Sequence, residues 1–166
     1  MDWDIHHGNG IQDLTYDDKN ISYFFIHRGF YPFTGHYNEA GGGDVVGTNY
    51  NIMRDSEGMG NAEYAKGFRN LVLRAVMSFV PDHILVLSGF DAAEGDFIGD
   101  CYPTPAIYYA MTNSLLTTAG QDIPIVVVLG GRYNLYVIAD CTEGITLALL
   151  IWSTLQITAR KYYLFN

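Results

Sequence analysis

The sequence predicts an α/β protein with a mainly parallel sheet flanked by helices. Two apolar runs rich in Val, Ile and Leu, residues 84–87 and 125–129, are continuous, as is typical of parallel strands buried on both faces. A helical pattern lies between these runs and another follows the second run, which is the alternation found in α/β folds. The 166 residues, 49% of them hydrophobic, suffice for one domain with one core.

The first half of the chain predicts three short extended segments and a long loop. Residues 2–6 read as the end of a strand, and residues 21–27 and 48–53 as two further strands. Residues 11–17 predict a short helix. Residues 28–47 form a glycine-rich loop, and loops of that length in a compact domain are usually functional or disordered.

The second half predicts three helices around the two apolar runs. The first covers residues 61–79, with Asn61 as its N-cap. Its apolar stripe is Tyr64, Phe68, Leu71, Val72, Ala75 and Phe79. The second helix starts at Thr104, which precedes a proline, and stops at Gly120. Most of residues 135–163 predicts a third helix.

Composition excludes several classes of function. The net charge of −9 argues against direct nucleic-acid binding, which needs a basic patch. Cys101 and Cys141 form neither a C-x-x-C motif nor a disulfide framework, so we expect a reducing compartment. The apolar run 145–152 is too short to span a bilayer, and no cleavable signal peptide is visible, so no membrane partner is expected. The sequence favours no particular oligomeric state.

The residues most suggestive of chemistry stand at the very start of the chain, in the stretch DWDIHHGNG. In a strand, Asp2, Asp4 and His6 share one face, while Trp3 and Ile5 pack behind them. Two carboxylates and an imidazole on one face are costly to crowd without a cation, and these ligand types suit zinc, with iron or cobalt as alternatives. For this triplet alone, an exposed polar strand end is the simpler interpretation.

Two further strand ends add to this triplet. Asp91 follows the run 84–87, and Tyr133 follows the run 125–129 after two glycines. In open α/β sheets, ligands bind beyond the carboxyl ends of the strands. Asp4, His6 and Asp91 then give three protein ligands to a catalytic metal and leave one position for water.

The motifs DWDIHHGNG, HRGFYPFTG, GMGNAEY, LSGFDAAEGD and GGRYNL occur in the order seen in class II histone deacetylases. The sequence resembles this family from residue 2 to about residue 150, and the class IIb catalytic domains most, within the wider arginase/deacetylase superfamily. The resemblance implies an arginase/deacetylase-like fold. Catalytic domains of the family are roughly twice as long, so we expect residues 1–166 to be the C-terminal half of one, with a sheet incomplete on its N-terminal side.

The resemblance also implies roles for individual residues. Asp4, His6 and Asp91 match the zinc ligands. Asp2 matches a carboxylate that orients an active-site histidine from the upstream half of the domain. Tyr133 matches the tyrosine that hydrogen-bonds the substrate carbonyl and stabilises the developing oxyanion.

Three positions match the substrate tunnel. Tyr31 matches an aromatic wall that grips the lysine methylenes, and Gly89 lines the same tunnel. Ile98 stands where polyamine-selective relatives carry a glutamate, which favours acetyl-lysine over acetylpolyamine as substrate.

Two positions depart from the family pattern. Arg132 replaces a small residue directly before the catalytic tyrosine. Phe25 replaces a serine beside the strand whose backbone carbonyls bind potassium in the family, a site to which Asp2 would contribute here.

The predicted function is zinc-dependent hydrolysis of acetyl-lysine amides on histone tails or cytoplasmic proteins, in the nucleus, the cytoplasm or both. Without the upstream histidines, the chain alone is expected to be nearly inactive. One alternative is a catalytically dead deacetylase-like module that binds acetyl-lysine or another protein. Another is that the chain does not fold alone, because a sheet without its upstream strands exposes an edge.

Overall fold

The computed structural model describes residues 1–54, 58–131 and 133–163, apart from the side chains of residues 54 and 157–163. Its strands are β1 (Tyr23–Arg28), β2 (Asn49–Arg54), β3 (Ile84–Ser88) and β4 (Ile125–Leu129). Its helices are α1 (Asn9–Thr15), α2 (Asn61–Gly67), α3 (Leu73–Phe79), α4 (Pro105–Ala119) and α5 (Leu135–Tyr163). A π-helical turn, Phe68–Val72, joins α2 to α3, and a 3₁₀ turn covers Gly43–Val45.

The strands form two parallel pairs, β1 with β2 and β3 with β4, and the N-terminal segment joins them. Asp2 bridges to Phe25 on one side and to Leu87 on the other, both in parallel. The Asp2 N–H donates to Phe24 (2.8 Å), and the Leu87 N–H donates to Met1 (2.9 Å). The predicted first strand is thus shorter than expected, because only Asp2 pairs on both sides. The α/β fold with a parallel sheet is confirmed.

The core lies between the sheet and the helices that follow β2 and β3. Trp3 is buried against the rings of Phe68 and Tyr108, with ring centroids 6.3 and 6.2 Å away. Its indole N–H donates to Ser88 Oγ (2.8 Å), so the N-terminal segment is fixed to the end of β3. Ile5 is fully buried beside it, as the alternation along residues 2–6 predicts.

The expectation that both apolar runs are buried on both faces is wrong. Ile84 and Val86 on β3 face the helices and are buried. Leu85 alternates to the other face and is 61% exposed, and Val126 and Val128 on β4 are 49% and 47% exposed. A continuous apolar run shows that a strand could be buried on both faces. Its actual burial depends on which other elements cover those faces. In the described part of the chain, this face of β3 and β4 remains open.

The helix predicted over residues 61–79 is present, but two of its details differ. Gly60 is the N-cap, and its N–H donates to Glu63 Oε2 (2.9 Å). The Asn61 side chain instead bonds Thr104, accepting its N–H at 2.8 Å. Leu71, predicted to be buried, is exposed. The π turn adds about one residue per turn, so the buried positions follow an i+4 spacing. The buried hydrophobic side chains at this spacing are Tyr64, Phe68, Val72 and Val76.

Helices α4 and α5 pack against each other on the core. Thr104 and Gly120 flank α4, as predicted. In the described residues, one helix is long and apolar enough to cross a membrane by length and composition, over Leu135–Gln156 with a mean hydropathy of 1.6. This stretch is longer than the predicted apolar run 145–152. Burial of Cys141, Ile145 and Ala148 on one side of α5 accounts for part of its apolar composition.

Candidate metal centre

Three of the predicted residues converge where the N-terminal segment and β3 end. Asp4 and His6 follow the paired residue Asp2, and Asp91 follows β3. The Ile5 N–H donates to Asp91 Oδ1 (2.9 Å), so the main chain of the first segment orients the carboxylate of the second. The Arg28 N–H donates to the Ile5 carbonyl (3.0 Å), which fixes the same segment to the end of β1.

The ligand atoms of Asp4, His6 and Asp91 lie within 4.8 Å of one another. His6 Nδ1 is 3.1 Å from Asp4 Oδ1 and 2.7 Å from Asp91 Oδ2. The Asp91 side chain is 1% exposed. Its Oδ2 is buried and faces His6 Nδ1, which also faces Asp4. Two carboxylates that converge on one imidazole are costly to bury without a cation, so the donor set fits a divalent cation.

The pKa values of the three residues follow from their crowding. The hydrogen bond to Asp4 and the adjacent Asp91 carboxylate raise the pKa of His6 to about 10. Burial raises the pKa of Asp91. Burial also acts to raise the pKa of Asp4, but the hydrogen bonds from His6 outweigh it, and the net shift is downward. A divalent cation would displace the proton on His6, because imidazole binds metals in its neutral form.

Two glycines make room for these ligands. A Cβ atom at Gly89 or at Gly131 would collide with the Asp4 carboxylate. The two loops are also bonded to each other, with the Phe90 N–H donating to Gly131 (2.9 Å) and the Gly130 N–H donating to Ser88 (2.9 Å). Glycine is therefore required by the close approach of the β3 and β4 ends to Asp4.

Aromatic rings stand beside His6 on the loop that follows β1. The Tyr31 ring lies edge-on to the imidazole at 6.0 Å and is 60% exposed. The Phe30 ring lies 5.3 Å from the imidazole, and the Arg28 guanidinium lies 5.0 Å from the centre of the Phe30 ring. Tyr31 thus lies beside His6, and its role as a wall of the substrate tunnel stays a prediction. Phe30 was missed, although it directly precedes Tyr31.

Comparison with known proteins decides the family. The family model described as "Histone deacetylase domain" matches residues 1–149. The chain belongs to the histone deacetylase family. Histone deacetylase HDA1 of Saccharomyces cerevisiae is 41% identical over 156 residues, covering 90% of this chain and 22% of that protein. Histone deacetylase 15 of Arabidopsis thaliana is 37% identical over 154 residues, covering 90% of this chain and 28% of that protein.

Two solved deacetylase structures share the fold. The HD domain of HDA15 aligns with a TM-score of 0.84 at 37% identity, over 90% of this chain and 43% of that chain. The histone deacetylase Clr3 aligns with a TM-score of 0.84 at 41% identity, over 90% of this chain and 26% of that chain. The predicted arginase/deacetylase-like class is therefore confirmed. The chain spans less than half of the solved HDA15 domain.

Asp2 is not part of the cluster of Asp4, His6 and Asp91. It is buried, its Oδ1 accepts the Asp4 N–H (3.0 Å), and its Oδ2 accepts the Tyr23 hydroxyl (3.3 Å). Burial raises the pKa of Asp2 to about 7. Asp2 thus supports the main chain of Asp4, and Tyr23 is a partner that no sequence pattern indicated.

The structure does not bring the side chains of Tyr133 and Ile98 into the cluster of Asp4, His6 and Asp91 within the described residues. Tyr133 follows Gly131, which touches the Asp4 carboxylate, and its side chain is 59% exposed. Its hydroxyl group forms no hydrogen bond within the described part of the chain. Ile98 is also exposed. Arg132, predicted to disturb Tyr133, lies outside the described residues.

A buried polar cluster holds the loop that carries Tyr31. Glu39 accepts the N–H groups of Gly35 and His36 (3.0 Å each) and the side-chain amide of Gln12 (2.6 Å). His7 lies between Gln12 and Thr34, at 3.0 and 2.8 Å. His27 is fully buried beside it, with ring centroids 5.0 Å apart. The structural roles predicted for His7 and His27 agree with this packing.

Proposed function

We propose that the chain is the C-terminal half of a zinc-dependent protein lysine deacetylase, which hydrolyses acetyl-lysine amides on histone tails or other proteins. One observation carries the proposal: Asp4, His6 and Asp91 bring three ligand atoms within 4.8 Å of one another, two of them on carboxylates that converge on a single imidazole. The family membership gives the reaction class, and the donor set favours zinc among the metals that bind carboxylate and imidazole.

Zinc held by these residues supplies Lewis acidity towards an amide carbonyl and activates water. The chain's own groups then have distinct tasks. Tyr31 lines the entrance beside His6, where an aromatic edge can contact the methylenes of a lysine side chain. Gly89 keeps space open next to Asp4. Ile98 presents an aliphatic side chain where a cationic polyamine would need a carboxylate. Tyr133 donates a hydrogen bond to the developing oxyanion.

Potassium is the second ion that we propose for this chain, and fewer side-chain ligands support it than support zinc. The Phe25 ring lies with the Asp2 carboxylate and the Tyr23 hydroxyl around Gly8. A phenyl ring brings no oxygen ligand, so a potassium site here would depend on main-chain carbonyl groups and Asp2. We place the protein in the nucleus or cytoplasm, without nucleic acid as a direct partner.

The general base is proposed to come from an upstream segment of the domain. His7 and His27 are committed to the polar cluster under the Tyr31 loop, and His36 and His83 are exposed. A positioned general base contributes roughly a hundredfold to ten-thousandfold in rate. The chain by itself is therefore proposed to be nearly inactive, although it keeps the metal ligands and Tyr133.

The second candidate function is a catalytically dead module that binds acetyl-lysine. The exposure of Tyr133 and the arginine before it favour this candidate, because both weaken the placement of the oxyanion donor. A binding module needs the Tyr31 wall and the metal cluster but no general base.

Activity of a hybrid protein separates the two candidates. In the hybrid, the upstream part of the catalytic domain of the Saccharomyces cerevisiae relative precedes this chain. The deacetylase proposal predicts turnover of acetyl-lysine peptides by the hybrid, loss of turnover with a zinc chelator, and nearly none from the chain alone. A hybrid that binds the acetylated peptide but does not turn it over would support the binding module. Robust turnover by the chain alone would contradict the proposed origin of the base.

A further inference from the structure

Asp96 lies in the loop after Asp91, and its carboxylate bonds the main chain of two different segments. Oδ2 accepts the N–H groups of Tyr133 and Asn134, both at 3.1 Å. Oδ1 accepts the N–H of Ile98 at 3.1 Å. One side chain therefore connects the residue assigned to oxyanion stabilisation with the residue assigned to substrate selection.

The connection is reciprocal. The Asn134 side-chain amide donates to the Gly95 carbonyl (2.8 Å), and its Oδ1 accepts the Tyr136 N–H (3.0 Å). The loop after Asp91 and the residues just before α5 are thus bonded in both directions. A carboxylate is also favourable at this position, because the free N–H groups at the start of a helix attract negative charge.

Two glycines, Gly130 and Gly131, lie shortly before Tyr133, and glycine leaves the backbone freer than any other residue. Gly131 cannot be exchanged for a stiffer residue, because a Cβ there would collide with Asp4. On the other side of this segment, Asp96 accepts two successive N–H groups and so restrains the main chain that carries the Tyr133 side chain.

We propose that Asp96 is a positioning residue, which fixes the Tyr133 hydroxyl for the reaction by bonding the main chain of Tyr133 and Asn134. This inference rests on the proposed deacetylase function. Because Asp96 acts through Tyr133, the effects on kcat of substituting the two residues should not be additive.

The first test needs no catalysis. Hydrogen exchange of the Tyr133 and Asn134 amides is measured in the hybrid with Asp96→Ala, Asp96→Asn and, as control, Glu94→Ala, which alters an exposed carboxylate two residues away. Asp96→Ala should speed exchange at these two amides roughly tenfold or more, since it removes their acceptor. Asp96→Asn keeps an acceptor oxygen and should stay close to the parent, as should Glu94→Ala. Unchanged exchange in Asp96→Ala would overturn the proposal.

The second test separates positioning from general stability. Asp96→Ala should lower kcat roughly tenfold to a hundredfold with a smaller change in KM and unchanged zinc content, and Asp96→Asn should recover most of the loss. In a Tyr133→Phe background, Asp96→Ala should lower kcat little further. An additive loss in the double variant would show that Asp96 does not act through Tyr133. A hybrid without any turnover would contradict the proposed function and leave the exchange result to decide the role of Asp96.

Discussion

His6 Nδ1 lies 2.7 Å from Asp91 Oδ2, which brings the end of the N-terminal segment against the end of β3. The Ile5 N–H donates to the other oxygen of the same carboxylate. Ile5 therefore orients the Asp91 carboxylate, which faces the imidazole of the next residue, His6. The cluster of Asp4, His6 and Asp91 therefore depends on how two neighbouring parallel segments end.

Gly89→Ala should weaken metal binding although it alters no ligand. The added Cβ would collide with the Asp4 carboxylate and push it out of the cluster. Changes that misorient a metal ligand commonly cost roughly tenfold to a hundredfold in affinity. Zinc titration with a competing chelator measures the effect. Gly10→Ala is the matched control, because nothing lies within 4 Å of a Cβ there. Equal affinity in the two variants would contradict the packing described for Asp4.

His27 should make the fold sensitive to mild acid. Burial lowers its pKa to about 4, below the usual 6.5, so the unfolded chain binds the proton more tightly than the folded one. The stability from neutral His27 is complete above about pH 6.5 and is lost as the pH falls towards 4. Between pH 7 and pH 4.5, the free energy of unfolding of the parent should therefore fall by about 2–3 kcal/mol more than that of His27→Gln.

Urea unfolding at several pH values measures this dependence, with His83→Gln as the control at an exposed histidine. A His27→Gln variant whose stability falls with pH as steeply as that of the parent would show that His27 does not carry the effect.

Arg132→Gly should raise the turnover rate of the hybrid without changing its zinc content. Arginine resists the positive φ angles that glycine adopts freely, so it restricts the main chain directly before Tyr133. A misplaced hydroxyl loses a hydrogen bond that is typically worth about 3–4 kcal/mol in the transition state. Arg132→Lys keeps both the charge and the Cβ, so its turnover rate should stay close to that of the parent hybrid. A drop in turnover in Arg132→Gly would mean that the arginine is a working part of the site.

The convergence of Asp4, His6 and Asp91 could be predicted from the sequence because parallel strands end at one edge of a sheet. Asp91 follows β3, and Asp4 and His6 follow the residue that pairs with β1 and β3. The role of the three residues as metal ligands stays a prediction. Tyr23, Glu39 and Asp96 were missed. They act by hydrogen bonds to groups far away in the chain, and a single polar residue in a loop carries no period that reveals its partner. Family resemblance, rather than periodicity, supplied the roles of Tyr31, Gly89, Ile98 and Tyr133.

The fold was predicted to the level of its elements and their parallel arrangement. The π turn before α3 was not, because one additional residue in a turn leaves no mark on an apolar pattern, and this displaced Leu71 from the buried face. The open face at Leu85 and Val126 was missed for another reason. Burial of a strand depends on what covers it, and the sequence of the strand does not contain that information.

The metal content of the purified chain tests the central claim most directly. The chain should bind about one equivalent of zinc, and Asp91→Ala should lose most of it, because the remaining aspartate and histidine leave the metal with two protein ligands. Asp122→Ala, at an exposed aspartate in the turn before β4, should bind as the parent does. Full zinc occupancy in Asp91→Ala, or none in the parent chain, would contradict a metal centre at Asp4, His6 and Asp91.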